Sequence, residues 1–249
     1  MEQEFIKLCS KGDLLGAQQY LQLYPDINIS AEEECAFLYA CFNGHLHVVQ
    51  WLYQIKPNIN ISANNECSFR YACFNGHLGV CQWLYQRKPD INISAINEWA
   101  FCNACKTGHL NVAQWLYQIK PTINISANNE YAFRYACQNG NLEVAQWLYQ
   151  RKPTINISAN NEHAFRGACK WKYLEVAQWL QSLKPYLYVI NYDEHGTIKD
   201  YYIRYKEEAN WEKRKYLVWL ASNHCPEQNK NNLLYKLPSD VSRMVIGFV

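Results

Sequence analysis

The sequence predicts an all-α repeat solenoid, in which short helical units stack on one another. Three residue types recur at one fixed step of 32 residues, and self-similarity at such a period is typical of repeat architectures. The recurring tryptophans are Trp51, Trp83, Trp115, Trp147 and Trp179. The cysteines that keep step are Cys41, Cys73, Cys105, Cys137 and Cys169, and the phenylalanines are Phe5, Phe37, Phe69, Phe101, Phe133 and Phe165.

One unit, taken over residues 65–97, begins with a short helix. Phe69, Ala72 and Cys73 follow the i, i+3, i+4 spacing of one helix face, and we expect this helix to end near Gly76. A second helix is predicted to begin at His77. Its inner face is predicted to present Leu78, Cys81, Leu84 and Tyr85, with Trp83 beside them.

The second helix is predicted to stop at Lys88-Pro89, because proline lacks an N–H donor and disfavours the helical conformation of the residue before it. The segment Ile91-Asn92-Ile93-Ser94 then alternates apolar and polar residues, which predicts a short extended arm. A unit of two helices and an arm cannot bury its apolar face alone. The units are therefore expected to stack and close a common core.

The order of these elements resembles the ankyrin repeat over residues 1–185. The residues that carry the resemblance are the Gly76-His77-Leu78 turn, the following Val80-Cys81-Gln82-Trp83-Leu84-Tyr85 and the Asp90-Ile91-Asn92 entry to the arm. The unit departs from the family in length, being one residue shorter than the usual 33, and in its opening, which reads Cys67-Ser68-Phe69-Arg70. The repeated Trp-Leu-Tyr and Ile-Asn-Ile-Ser-Ala-Asn-Asn-Glu sequences are also similar to those of the ankyrin arrays of giant DNA viruses of amoebae.

Three regions are predicted along the chain. Residues 1–185 are expected to form six repeats, the first of which is a terminal cap, because Gln19-Tyr20-Leu21 replaces the usual Trp-Leu-Tyr. Residues 186–225 are predicted to be a diverged seventh repeat with extra residues around Glu194-His195-Gly196. Residues 226–249 are predicted to form a C-terminal helix.

Two interpretations of this last helix stay open. The Leu237-Pro238-x-Asp240-Val241 motif is similar to the opening helix of an F-box and to the truncated ends of poxviral ankyrin proteins, which recruit a cullin ubiquitin ligase. This resemblance implies that an apolar set would dock into the ligase adaptor, namely Leu237, Pro238, Val241 and Val245. The alternative is a capping helix that covers the last repeat.

Composition and charge favour an intracellular, monomeric protein, cytoplasmic or nuclear (in a host cell if it is viral). The start of the chain has no signal-peptide pattern, and no apolar run is long enough to span a membrane. Residues 36–185 carry 13 basic and 7 acidic residues, whereas residues 1–35 carry 2 and 7. The moderately positive middle favours an acidic partner surface but lacks the strong basic stripe expected for nucleic-acid binding.

Cysteines, histidines and Asn-Ile-Ser motifs are all interpreted as structural. The cysteines, eleven in all, mostly occupy core positions of the repeat, where free thiols act as small apolar side chains in a reducing compartment. His45, His77 and His109 occur once per repeat, too far apart to share one metal ion. Each Asn-Ile-Ser, as at Asn92, is expected to hydrogen-bond its own turn rather than to carry a glycan. Arg70, Arg134 and Arg166 are expected to bond neighbouring arms.

No phosphate-binding loop, paired-carboxylate motif or nucleophile elbow occurs, so no enzyme activity and no cofactor are predicted. The resemblance to ankyrin arrays instead implies a protein-binding concave face lined by the first helices and the arms. Positions that vary among the repeats are the candidates: Phe42, Phe74, Ile96, Trp99, Lys106, Tyr131, Gln138, His163 and Lys170. The alternative for the aromatic members is that they pack between repeats.

Overall fold

The computed structural model describes residues 1–204. A first compact unit spans Met1–Val176, and a second begins at Ala177. The described residues form paired helices followed by a two-stranded sheet. The helices are α1 Glu2–Lys11, α2 Leu14–Leu23, α3 Ala31–Phe42, α4 Leu46–Ile55, α5 Ala63–Phe74, α6 Leu78–Arg87, α7 Ala95–Lys106, α8 Leu110–Ile119, α9 Ala127–Gln138, α10 Leu142–Arg151, α11 Ala159–Lys170 and α12 Leu174–Leu183. The strands are β1 Tyr188–Tyr192 and β2 Ile198–Ile203.

The first unit is the predicted stack. The first helices of successive repeats pack in chain order, α1 on α3, then α5, α7, α9 and α11. The first helices α1, α3, α5, α7 and α9 each also pack on the second helix of their own repeat. The six repeated phenylalanines are at most 1% exposed, so they form the shared core. The ankyrin-type solenoid and the helix boundaries expected near Gly76 and Lys88 are confirmed.

The core face of the second helices differs in detail from the prediction. In α6 the fully buried positions are Val80, Cys81 and Leu84, whereas Leu78 and Tyr85 are half-buried. Trp83 is only 8% exposed, because the Arg87 guanidinium lies over its indole at 5.5 Å and the Tyr53 ring meets it edge-on at 5.4 Å. Trp83 therefore packs against Tyr53 of the preceding repeat and contributes to the contact between repeats.

The turn between the two helices of a repeat depends on glycine. Gly76 has a φ of 79°, and a Cβ built on it would lie 2.4 Å from Nδ1 of His109 in the next repeat. A carbonyl of the preceding repeat accepts a hydrogen bond from this histidine, as Ser10 does for His45 at 3.0 Å. Burial lowers the pKa of His77 and His109, which fits neutral structural imidazoles. The structural interpretation of these histidines is confirmed.

The first helices of repeats two to six open with a feature that the sequence analysis does not predict, a turn of three left-handed residues. In α5 these are Asn64, Asn65 and Glu66, with φ values of 53°, 57° and 63°. Asparagine tolerates this conformation better than most residues, which explains why the sequence Asn-Asn-Glu recurs at this position. The right-handed part of the helix therefore begins only at the following residue, Cys67 in this repeat.

The segment before each first helix is more compact than the predicted extended arm. It consists of two turns joined by two residues, and Ile91 and Ile93 are both buried. The Asn92 side chain accepts the N–H of Ser94 at 3.2 Å, and equivalent bonds at 3.1 to 3.2 Å occur in the other four Asn-Ile-Ser motifs. The predicted role of these motifs in their own turn is confirmed, and the turn shortens the arm.

A partly buried polar relay links successive repeats. Ser94 Oγ donates to Glu98 Oε2 at 2.6 Å, and Lys120 of the next repeat donates to the same serine oxygen. The other glutamate oxygen accepts the Asn124 N–H at 3.3 Å. The same set recurs at Ser30, Glu34 and Lys56 and at Ser126, Glu130 and Lys152.

The relay is broken between the second and third repeats. Here Lys88 turns away to an exposed ion pair with Asp90 at 3.2 Å, and the buried Ser62 Oγ and Glu66 Oε2 have no hydrogen-bond partner within residues 1–204. The corresponding residue in the next two repeats is Thr122 or Thr154, which offers no competing carboxylate.

We expect Asp90→Thr to raise the free energy of unfolding by about 1–3 kcal/mol, the usual cost of an unsatisfied buried polar group. The exposed ion pair that is lost contributes little. Urea unfolding of the variant measures this gain. Asp26→Thr is the matched control, because Asp26 occupies the same turn position but follows Tyr24-Pro25 and has no relay lysine before it. An equal change in both variants would contradict the relay.

The second unit contains a β-hairpin that the sequence analysis does not predict. β1 pairs antiparallel with β2, from Tyr188 opposite Ile203 to Tyr192 opposite Ile198. Asp193 closes the turn by accepting the N–H groups of His195 at 3.0 Å and Thr197 at 2.9 Å. The extra residues predicted around Glu194 therefore form a hairpin turn. The remainder of the predicted seventh repeat lies outside the described residues.

Candidate interaction surface

Three positions on each first helix, spaced i, i+4 and i+7, project to one side of the first unit and follow one another across the repeats. We call this set the first-helix stripe. From repeat one to repeat six it comprises Gln3, Lys7, Ser10, Cys35, Tyr39, Phe42, Cys67, Tyr71, Phe74, Trp99, Asn103, Lys106, Tyr131, Tyr135, Gln138, His163, Gly167 and Lys170. All of these residues except Asn103 are half-buried or exposed.

The ends of the first helices α1, α3, α5 and α7 are held by the next repeat, which positions the third stripe residue. Asn75 Nδ2 donates to the Phe42 carbonyl at 2.8 Å, and Thr107 Oγ1 donates to the Phe74 carbonyl at the same distance. The Lys106 carbonyl accepts from Asn139 and Asn141. Because these bonds use main-chain oxygens, they set the backbone while leaving the stripe side chains free to differ.

An aromatic cluster occupies the stripe from repeat two to repeat four. Tyr71 lies at its centre, with ring centroids 5.6 Å from Phe42, 6.5 Å from Phe74 and 5.2 Å from Trp99. Phe74 and Trp99 are 5.9 Å apart. The Arg70 guanidinium lies 5.0 Å from the Trp99 ring on the inner side. The rings therefore pack between repeats and also keep part of their surface exposed.

From repeat four to repeat six the stripe becomes polar and positively charged. Lys106 Nζ lies 5.2 Å from the Tyr135 ring centroid, and Tyr135 stacks with Tyr131 at 4.3 Å and with His163 at 5.0 Å. Burial lowers the pKa of His163, and the nearby Arg134 charge lowers it further. His163 Nδ1 is buried without a hydrogen-bond partner among the described residues.

Two arginines beside the stripe bond the left-handed turn at the end of the preceding arm. Arg70 donates to the carbonyls of Asn65 at 2.7 Å and Asn64 at 3.1 Å, which belong to the left-handed turn between the preceding arm and its own helix. Arg134 bonds its own turn in the same way. For these two arginines the bonds to Asn64 and Asn128 agree with the predicted contact to the arm that precedes the helix, because the left-handed residues turn their carbonyls back towards the helix. Arg166 is exposed.

The structure brings eight of the nine predicted partner-binding residues into one stripe. The exception is Ile96, which lies in the left-handed turn with 51% of its surface exposed. The sequence analysis misses Tyr71 and Tyr135, two rings at the middle stripe position that contact aromatic rings of neighbouring repeats. Their i+4 spacing from Cys67 and Tyr131 is the signal that could have identified them.

The thiols are set up for packing rather than for chemistry. All ten cysteines of the described residues are free, and most are buried. Burial raises the pKa of Cys9 and Cys102 to about 12 and that of Cys105 well above its usual value, so these thiols stay protonated. Within residues 1–204 no three His, Cys, Asp or Glu side chains are grouped to hold a metal ion. No helix in that range has the length and apolarity to cross a membrane.

The predicted ligase-recruiting residues, Leu237, Pro238, Val241 and Val245, lie outside the described residues, so both interpretations of the C-terminal helix remain predictions.

Stacked helix–turn–helix units with a shared phenylalanine core and glycine turns define a helical repeat protein. The family model for ankyrin repeats (3 copies) matches residues 6–95 and 100–189. Because these matches cover well over half of the chain, the protein belongs to the ankyrin repeat family. Ankyrin repeats are in general protein–protein interaction modules, and the family is typically a non-enzymatic scaffold. No curated protein matches the chain, and the similarity to giant-virus arrays remains a prediction.

Proposed function

We propose that this protein is a non-enzymatic scaffold that binds a protein partner on its first-helix stripe, the side that forms the concave face in ankyrin arrays. One observation carries the proposal. The residues that differ most between repeats collect on this continuous, partly exposed surface, whereas the phenylalanine core and the glycine turns repeat almost unchanged.

The geometry of the aromatic cluster supports binding at low entropic cost. Phe74, Tyr71 and Trp99 hold one another through ring contacts at 5.2 to 6.5 Å, so their rotamers are ordered before a partner arrives. Pre-ordered side chains lose little freedom on association. Aromatic residues that present area in this way are frequent among binding hot spots. The same contacts mean that truncating Trp99 should also cost some stability.

Site-specific photo-crosslinking tests the surface directly. A benzophenone amino acid at Phe74 should crosslink a protein from a cell lysate. The same probe at Gln114, an exposed position on a second helix, should not. A competing unlabelled array should remove the crosslink, whereas a Phe42→Ala, Trp99→Ala array should compete at least about tenfold less well, as for loss of a hot spot. Equal crosslinking from both positions would contradict the stripe as the binding surface.

The alternative, a substrate receptor that recruits a cullin ubiquitin ligase, rests on the Leu237-Pro238-x-Asp240-Val241 motif alone. Its test is a pull-down of the purified cullin adaptor with the full chain and with a Leu237→Asp, Val241→Asp variant. Binding by the full chain that the variant loses would support this function. Equal or absent binding in both would contradict it.

A further inference from the structure

Charge is distributed unevenly along the first-helix stripe. At its start, Glu4 of α1 and Glu32 and Glu33 of α3 are exposed. The stripe residue Lys7 is exposed there too, but it is paired with Glu4 at 3.3 Å, so the start keeps a net negative charge. From repeat two to repeat six no stripe position carries a carboxylate, and the charged members are Lys106 and Lys170. The surface therefore changes from acidic, through the aromatic cluster, to positively charged.

The glutamates of α7 and α9 do not offset the charge of the positive end, because they are hydrogen-bonded elsewhere. Glu98 and Glu130, on the same helices α7 and α9, are 8% and 7% exposed. Each accepts a serine hydroxyl and a backbone N–H within the partly buried relay. Lys106 contacts the Tyr135 ring and Lys170 the Trp171 ring, so neither has a carboxylate partner among the described residues.

We propose that the stripe takes an acidic, extended peptide segment of the partner, anchored by one apolar side chain. The anchor packs on Phe74 and Trp99, and the acidic residues lie over repeats four to six against Lys106, His163 and Lys170. The inference rests on the proposed function and adds the chemistry and the direction of the bound segment, because the acidic start of the stripe repels the reverse orientation.

The spacing of the repeats sets the register of this segment. First helices that pack side by side are about 8–10 Å apart, so two repeats span roughly 16–20 Å. An extended chain advances about 3.3 Å per residue. The acidic residues are therefore expected within about six positions of the apolar anchor.

A single-stranded nucleic acid, which also combines stackable rings with negative charge, fits this surface less well. It carries one phosphate per nucleotide along its whole length, whereas the stripe offers Lys106 and Lys170 at one end and, at the other, only Lys7, which is paired with Glu4 and flanked by exposed glutamates. Binding of that kind usually follows a positively charged groove.

The test begins with a displayed library of random 12-residue peptides panned on the full-length protein. We expect the enriched peptides to share an apolar residue followed within about six positions by Asp or Glu. The best peptide is then labelled and its affinity measured by fluorescence anisotropy. We expect Lys106→Gln and Lys170→Gln each to weaken binding about 2- to 5-fold and the pair about 10-fold, as for single exposed charge pairs. Arg87→Gln, which removes an equal charge from a second helix, should leave binding unchanged.

The remaining outcomes separate the two proposals. Enriched peptides that are neutral or basic, no enriched peptide at all, or binding that is indifferent to the lysine substitutions would overturn the acidic segment. If Phe74→Ala still weakens binding of the selected peptide about tenfold when the lysine substitutions do not, the stripe remains the binding surface. If Phe74→Ala and Trp99→Ala also have no effect, the proposed function fails with it. Displacement of the peptide by an equimolar single-stranded oligonucleotide would assign the surface to nucleic acid.

Discussion

Phe101→Ala is expected to lower the free energy of unfolding by about 3–5 kcal/mol, the usual cost of truncating a fully buried phenylalanine. Its ring is 0% exposed and lies 6.2 Å from the ring of Trp147, so the substitution leaves a cavity between the fourth and fifth repeats. The neighbouring helices are held on both sides by other repeats and cannot collapse into it. Urea unfolding followed by tryptophan fluorescence measures the loss.

Trp171→Ala is the matched control, because this indole is 57% exposed. Its truncation should change the free energy of unfolding by less than about 0.5 kcal/mol, as for ordinary surface substitutions. Comparable losses at the two positions would contradict the assignment of Phe101 to the core that the repeats share.

Gly76→Ala is expected to cost about 2–4 kcal/mol. A left-handed backbone costs a non-glycine residue roughly 1–2 kcal/mol, and overpacking adds about 1–3 kcal/mol. The φ of 79° imposes the first contribution. The second arises because the new Cβ would lie 2.4 to 2.6 Å from three atoms of the half-buried His109 ring.

Two comparisons separate these contributions. Gly196→Ala keeps the left-handed φ of 76°, but its added Cβ meets nothing within 4 Å, so only the backbone cost is expected. In a His109→Gly background the clash at Gly76 disappears, and the double-mutant cycle should return a coupling of about 1–3 kcal/mol. A coupling near zero would show that the histidine ring moves aside freely.

The sequence predicts the repeat stack well because the features that carry it are local and periodic. Phe69, Ala72 and Cys73 mark a helix face by their spacing, Gly76 ends that helix, and Pro89 follows the end of the next one. The same pattern recurs in each repeat, so one correct unit predicts the stack. The hairpin closed by Asp193 is missed, since it occurs once and lies outside the period.

The candidate site is predicted less completely. Variation between repeats identifies Phe74, Trp99 and Lys106, but not the central ring Tyr71, because the second and fifth repeats also carry tyrosine at this position. The centrality of Tyr71 follows from which side chains of three helices meet in space. The same holds for Arg70, whose partners depend on the direction of the Asn64 and Asn65 carbonyls.

The sequence by itself therefore determined the family, the helix order and the buried phenylalanine core, because each depends on residues spaced along one helix or one turn. Only the tertiary structure decided the left-handed turn at Asn64, the relay through Ser94 and Lys120, and its interruption at Lys88. These depend on the competition of one polar group for partners in two repeats, which is resolved when the helices are packed side by side.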